Sequence, residues 1–181
     1  RMLNGSGGSV ESDFYSPAVT KESIKPGTVL YNVSGHVAIV YDVTAKGEVL
    51  YVDAHPDNSI TRGVFNPDFK LVKSLYGGNF KNFRPVQVVN ATMATDGSIA
   101  KGQVVVAGDS EIADFSMEQY EGLGKNSAGN TIFKLYAHDT KAVNFYDWVK
   151  FKLSGGSYRL DPIIEMKNEI ILSLLLRSPA L

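Results

Sequence analysis

The sequence predicts an α+β domain: an antiparallel sheet meander followed by C-terminal helices. Three observations carry this. Residues 28–65 break into short β-branched and aromatic runs, separated by Pro26-Gly27, residues 32–35 and Ala45-Lys46-Gly47, which is the pattern of strands joined by tight turns. From residue 140 the apolar spacing widens, and Val143, Tyr146, Val149 and Leu153 fall near the helical period. Asp161-Pro162 then offers a cap followed by proline at the first helical position.

Taken in order, residues 1–12 (RMLNGSGGSVES) form a flexible N-terminal segment by composition. They contain no apolar stretch of the kind a signal peptide needs, and the opening arginine suggests a processed or incomplete chain. Residues 13–24 are expected to lie extended on the domain. The meander follows as strands over 28–31, 37–43, 48–52 and 59–64. A turn at Asn66-Pro67-Asp68 precedes residues 69–75, and Gly77-Gly78 breaks the chain. Residues 80–89 read as one strand interrupted at Pro85, an edge or a bulge. Residues 90–102 are small and polar, with Asp96-Gly97 as a turn, and 103–107 suit one more short strand. The sheet core thus spans 13–107.

Residues 108–139 read as a loop-rich insertion, with slight helical pattern at 114–120 cut short by Gly122, Gly124 and Gly129. Residues 140–181 form a C-terminal helical segment. A helix over 141–153, capped by Thr140, stops at Gly155-Gly156. A second carries Ile163, Met166, Ile170 and Leu174 on one face to about Arg177. Its end (Ile170, Ile171, Leu172, Leu174, Leu175, Leu176) is too apolar for an isolated surface helix and calls for a sheet, a domain or a partner to cover it.

Composition narrows the function. With 44% hydrophobic and 20% charged residues, the 181-residue chain suits one globular domain with a proper core. A net charge of −1 gives no chain-wide grip on nucleic acid or anionic membrane. No apolar run reaches the roughly 20 residues of a membrane span. With no cysteine, disulfides and thiolate metal sites are excluded. Phosphate loops and dinucleotide fingerprints are absent, and no cofactor is implied.

Chemistry-bearing residues gather at two places. His36 heads one strand, and Asp53 and His55 close the next. A hairpin turning at Lys46-Gly47 brings the start of the first beside the end of the second. A histidine held by a carboxylate or a second imidazole is the base-and-orienter half of a nucleophilic site. Asp53 continues its strand and is the more natural orienter; His55, before Pro56, remains the alternative. Tyr31 and Tyr51 are candidates to line a substrate groove. A metal triad of His36, His55 and Asp57 lacks any supporting spacing, so no metal is expected. Ser34 has no nucleophile elbow around it, and His138 is given no role.

The blocks Pro26-Gly27-Thr28-Val29-Leu30-Tyr31, Gly35-His36-Val37-Ala38-Ile39-Val40 and Val52-Asp53-Ala54 resemble the second half of the NlpC/P60 and CHAP peptidases of bacterial cell walls. The resemblance covers about a quarter of the chain. It implies a papain-like fold, extracellular or periplasmic location, and hydrolysis of peptide or amide bonds in peptidoglycan. A cysteine thiolate would attack, His36 would shuttle the proton, and Asp53 or His55 would orient His36. The family's cysteine, borne on a helix before the histidine, has no counterpart here, so the chain as written is expected to be inactive. Either the thiol lies in sequence not present, or the domain binds a cell-wall fragment or protein without cleaving it. Partners implied are a peptidoglycan or other peptide. A cleaved upstream segment, a second chain or the helix over 163–176 folded back is expected to cover the sheet face left by the missing helix.

Overall fold

The computed structural model describes residues 13–32, 34–69, 79–127, 129–136 and 141–160. Eight strands dominate it: β1 (Phe14–Tyr15), β2 (Val29–Tyr31), β3 (Val37–Val43), β4 (Val49–Ala54), β5 (Ile60–Val64), β6 (Phe80–Phe83), β7 (Val86–Met93) and β8 (Ile99–Val106). The first six make one antiparallel sheet in the order β1-β6-β2-β3-β4-β5, while β7 and β8 form a separate ribbon. Among the described residues the helices are α1 (Glu118–Glu121) and α2 (Phe145–Leu153), and neither is long and apolar enough to cross a membrane.

The expected α+β, papain-like arrangement with C-terminal helices is therefore overturned: the protein is β-rich and built mainly of antiparallel sheet. Much of the difference lies in residues 80–106. The sequence suggested one interrupted strand over 80–89, a polar linker over 90–102 and a short strand from 103, but this stretch makes three strands in two sheets, with β7 and β8 running through most of the expected linker. Pro85 has no amide proton to give to a ladder, and the chain changes sheet there. Arg84 N donates to Asp13 O (2.9 Å), and its guanidinium donates to Ala107 O (2.9 Å) and pairs with Asp109. β6 becomes an inner strand between β1 and β2.

The helix expected over 141–153 begins instead at Phe145. Asn144 caps it, with Oδ1 accepting from Asp147 N at 2.9 Å. Thr140, the expected cap, the second helix at 161–177 and the N-terminal 1–12 lie outside the described residues. The described part of 108–139 holds a 3-10 turn at Asp109–Glu111, α1 and isolated bridges.

Strand alternation divides the large sheet into two faces. Leu30, Ala38, Val40 and Val49 point to the core, where they meet Phe65, Phe69 and Phe80 and the inner side of α2, namely Phe145, Trp148, Val149 and Leu153. The other face leaves Val37 and Ile39 exposed. Gly47 takes a φ of +79°, and the hairpin it turns lies directly against the C-terminal end of α2.

Candidate active site

His36 stands just before β3, and its placement comes from the turn in front of it. Asn32 Oδ1 accepts from Ser34 N (2.9 Å), Ser34 Oγ (2.5 Å) and His36 N (3.2 Å), while Asn32 N donates to His36 O (3.1 Å). An asparagine side chain closing a turn on its own downstream amides is a local device. It delivers the imidazole to the head of the strand. On β4, Tyr51 lies opposite the buried Val40, so Asp53, two residues on, shares the core-side face. On β5, Thr61 lies opposite Asp53. After β4, the loop closes with His55 N donating to Ser59 O and Asn58 N to His55 O, both 3.0 Å.

These placements assemble a connected polar group. His36 Nε2 lies 2.6 Å from Asp53 Oδ2, Thr61 Oγ1 donates to Asp53 Oδ1, and His55 Nε2 lies 3.0 Å from Thr61 Oγ1. His55 Nε2 stands 3.5 Å from Asp53 Oδ1, and the two imidazoles stack with centroids 5.8 Å apart. Of the two candidates for orienting His36, Asp53 is the one in contact, and His55 reaches the carboxylate through Thr61.

The proton positions follow from donor counting. An ionised carboxylate only accepts, so the Nε2 of His36 carries its proton toward Asp53 and Nδ1 is left outside this contact. The Thr61 hydroxyl has one proton and commits it to Asp53, so it accepts from a protonated Nε2 on His55. Burial pushes the Asp53 carboxyl up. Hydrogen bonds from Thr61 and His36, together with the electrostatic influence of the neighbouring His55 and His36 rings, outweigh that and hold it below the ordinary aspartate value. The Asp53 side chain is only 9% exposed, against 35% for His36 and 37% for His55. A sheltered, ionised carboxylate thus holds a solvent-accessible imidazole, the arrangement that fixes a histidine as a proton acceptor.

The two tyrosines fare differently. Tyr51 lies on the same face as Asp53, with its ring over Gly63 and edge-on to Phe69 (5.3 Å). Burial, then the charges of Asp53 and Asp68, raise its hydroxyl above the ordinary tyrosine value, which keeps it protonated and neutral beside the carboxylate. Tyr31 pairs with Val37 and so projects to the opposite face, its hydroxyl beside Gly35. Asp57 is turned to its own loop, accepting from Ser59 N (2.9 Å). No group of three metal-ligating side chains occurs among the described residues, and His138 lies outside them.

Thr61 was missed at the level of sequence, where residues 59–64 counted only as a strand. The available signal was weak: a β-branched hydroxyl on the strand next to Asp53. The β4–β5 register that aligns the two depends on the loop at residues 55–59. Comparison with protein-family models, with curated proteins and with solved structures finds no match to this chain.

Proposed function

We propose that His36 and Asp53 are the base-and-orienter half of a thiol-dependent amide hydrolase site, with peptides of the peptidoglycan stem class as substrate. The observation that carries the reading is the His36 Nε2 to Asp53 Oδ2 contact of 2.6 Å on a mostly buried carboxylate. It leaves Nδ1 to accept a proton from a nucleophile. The resemblance of the Gly35–Val40 block to NlpC/P60 and CHAP peptidases supports the substrate class. In this reading Asp53 holds the tautomer and stabilises the imidazolium, Thr61 and His55 hold Asp53, and Tyr51 flanks the bound peptide. The attacking thiol is not among these 181 residues and is supplied by another segment or chain.

The lack of any cysteine favours a second reading, in which the same face binds such a peptide without cleaving it. One experiment separates the two by supplying the nucleophile in solution. A small thiol is added to a stem-peptide thioester, with the native chain or its His36→Ala variant. The hydrolase reading expects thiol exchange to run at least about tenfold faster with the native chain, a threshold set below the roughly 10²–10⁴-fold typical of general-base catalysis, and the gain to vanish in His36→Ala. Peptide-dependent shifts of the His36 ring resonances without any acceleration would favour the binding reading. Neither acceleration nor shifts would sink both.

A further inference from the structure

The β7–β8 ribbon carries a surface that the proposed site does not use. It starts after Arg84-Pro85 and closes where Ala107 N donates to Pro85 O (2.9 Å). Its register sets Val86 opposite Val106, Val88 opposite Val104 and Met93 opposite Ile99. Directly paired residues share a face. A Cβ on Gly102 would lie 2.6 Å from Val88 Cγ1 and 3.5 Å from Ile99 Cγ2, so Val88 and Ile99 both lean over that glycine from one side. All six side chains therefore form one apolar stripe along the ribbon. Val86 is 64% and Val104 68% exposed; Val88, Met93 and Ile99 are exposed as well, and Val106 is half-buried. Among the described residues, the only substantial element contact either strand makes is with the other.

We propose that the ribbon is a self-association arm, and that two copies of this chain stack their stripes face to face about a two-fold axis. A two-stranded ribbon alone is marginal in water, and it becomes stable when its apolar face is packed. Stacking two ribbons gives a small sandwich with the ordinary sheet spacing of about 10 Å. Charge selects the occupant. Asp96 and Lys101 are the only charged residues in 86–106, and that stretch has no aromatic residue. A lipid surface or a nucleic acid finds neither basic cluster nor aromatic anchor there. A second copy meets an uncharged stripe with no like-charge penalty, and a two-fold contact requires only that the patch complement itself. Full burial of two stacked stripes would cover about 1,000 Å² in total, the lower edge of specific interfaces, so the dimer should be weak and reversible. The inference is independent of the proposed hydrolase site.

Sedimentation velocity of the native chain over a concentration series tests it. The expected result is a monomer–dimer equilibrium that weakens at least tenfold in the double variant Val88→Lys, Val104→Lys. Gln87→Lys, on the ribbon's other face, should leave it unchanged. Because the chain has no cysteine, a single introduced thiol gives a second readout that does not depend on the lysine variants folding. Val88→Cys should be joined into a covalent dimer by a short bis-maleimide cross-linker, whereas Gln87→Cys, on the outer face, should not. A chain that stays monomeric at several hundred micromolar overturns the proposal. So does a dimer that the stripe lysines leave intact, equal cross-linking from both cysteine positions, or a monomer that instead binds lipid vesicles.

Discussion

Changing Asp53 to asparagine alters the site by little more than one atom and removes the carboxylate charge from its contact with His36. In the native protein one carboxylate oxygen accepts from His36 and the other from Thr61. An amide keeps one acceptor and converts the other into a donor, so one partner loses its hydrogen bond or the imidazole moves its proton to Nδ1. A hydrogen bond to a charged group contributes about 1.5–3 kcal/mol. His36 is 35% exposed, and water can replace part of the loss. Asp53→Asn should therefore cost about 1–2 kcal/mol at neutral pH, or about 2–8 °C in Tm for a chain of this length. The sign with pH is fixed. Because the folded carboxyl is held below its ordinary value, its stabilisation is present above the unfolded pKa of about 3.9 and lost as pH falls through the folded value. Thermal unfolding at pH 7 and at pH 3 should show the gap between native and variant closing in acid. Long-range proton–nitrogen spectra, simple with three histidines in the chain, should show the Nε2–H form of His36 in the native protein and its loss in the variant. A gap of equal size at both pH values, or a native His36 protonated at Nδ1 alone, would refute the donor counting.

Two further outcomes test the frame around the site. Gly47→Ala would place a Cβ 2.7 Å from Ser154 N and closer still to the Lys150 carbonyl, at a φ of +79°; it should cost at least about 3 kcal/mol, and an unchanged Tm would show that the β3–β4 turn does not sit on α2. Lys81, opposite Val29 in the sheet, is 7% exposed, and burial alone pushes its amine below the ordinary lysine value. Lys81→Met should thus raise stability at pH 7 by about 1 kcal/mol, and the advantage should shrink as pH rises through the lowered folded value and vanish above the ordinary lysine pKa, where the amine is neutral in both states; a variant less stable than native in a urea titration would contradict this.

The polar pair was legible because its parts lie on adjacent strands joined by one short turn. The Gly35–Val40 block, the turn at Lys46-Gly47 and the end of β4 suffice to bring His36 toward Asp53. Thr61 was not legible, because the register of β5 is set by the loop at 55–59, and a one-residue slip would have placed Ile60 or Arg62 opposite Asp53. The fold class failed in a similar way. Val86, Val88, Val104 and Val106 alternate as strands do, but Asn90, Asp96-Gly97 and Gly102 between them look like linker composition. Only pairing over eight residues on each side shows that the polar residues belong to a twisted, bulged ribbon. The cap of α2 was misplaced because Thr140 and Asn144 both have capping side chains, one turn apart. Tyr31 was assigned to the groove on residue type alone, and its pairing with Val37 sends it to the other face.

One irregularity explains how the sheet carries both a core and a site on the same face. Between Val40 and Asp42 the β3–β4 register shifts by one residue, so Tyr41 is an extra residue in β3. Strict alternation would place Val40 and Val43 on opposite faces. The shift lets Val43, paired with the buried Val49, join Ala38 and Val40 on the core side. A bulge of this kind changes facing without breaking the ladder. Had β3 been regular, burying Val43 at the hairpin end would have turned Ala38 outward, and His36 with it, away from Asp53. The hairpin end faces α2 and needs apolar side chains inward; the far end, past the cover of Phe65, Phe69 and Phe80, tolerates polar ones. The same face thus passes from Val49 through Tyr51 to Asp53 as the core gives way to solvent. The position of His36 is set as much by Tyr41, five residues away, as by the turn at Asn32.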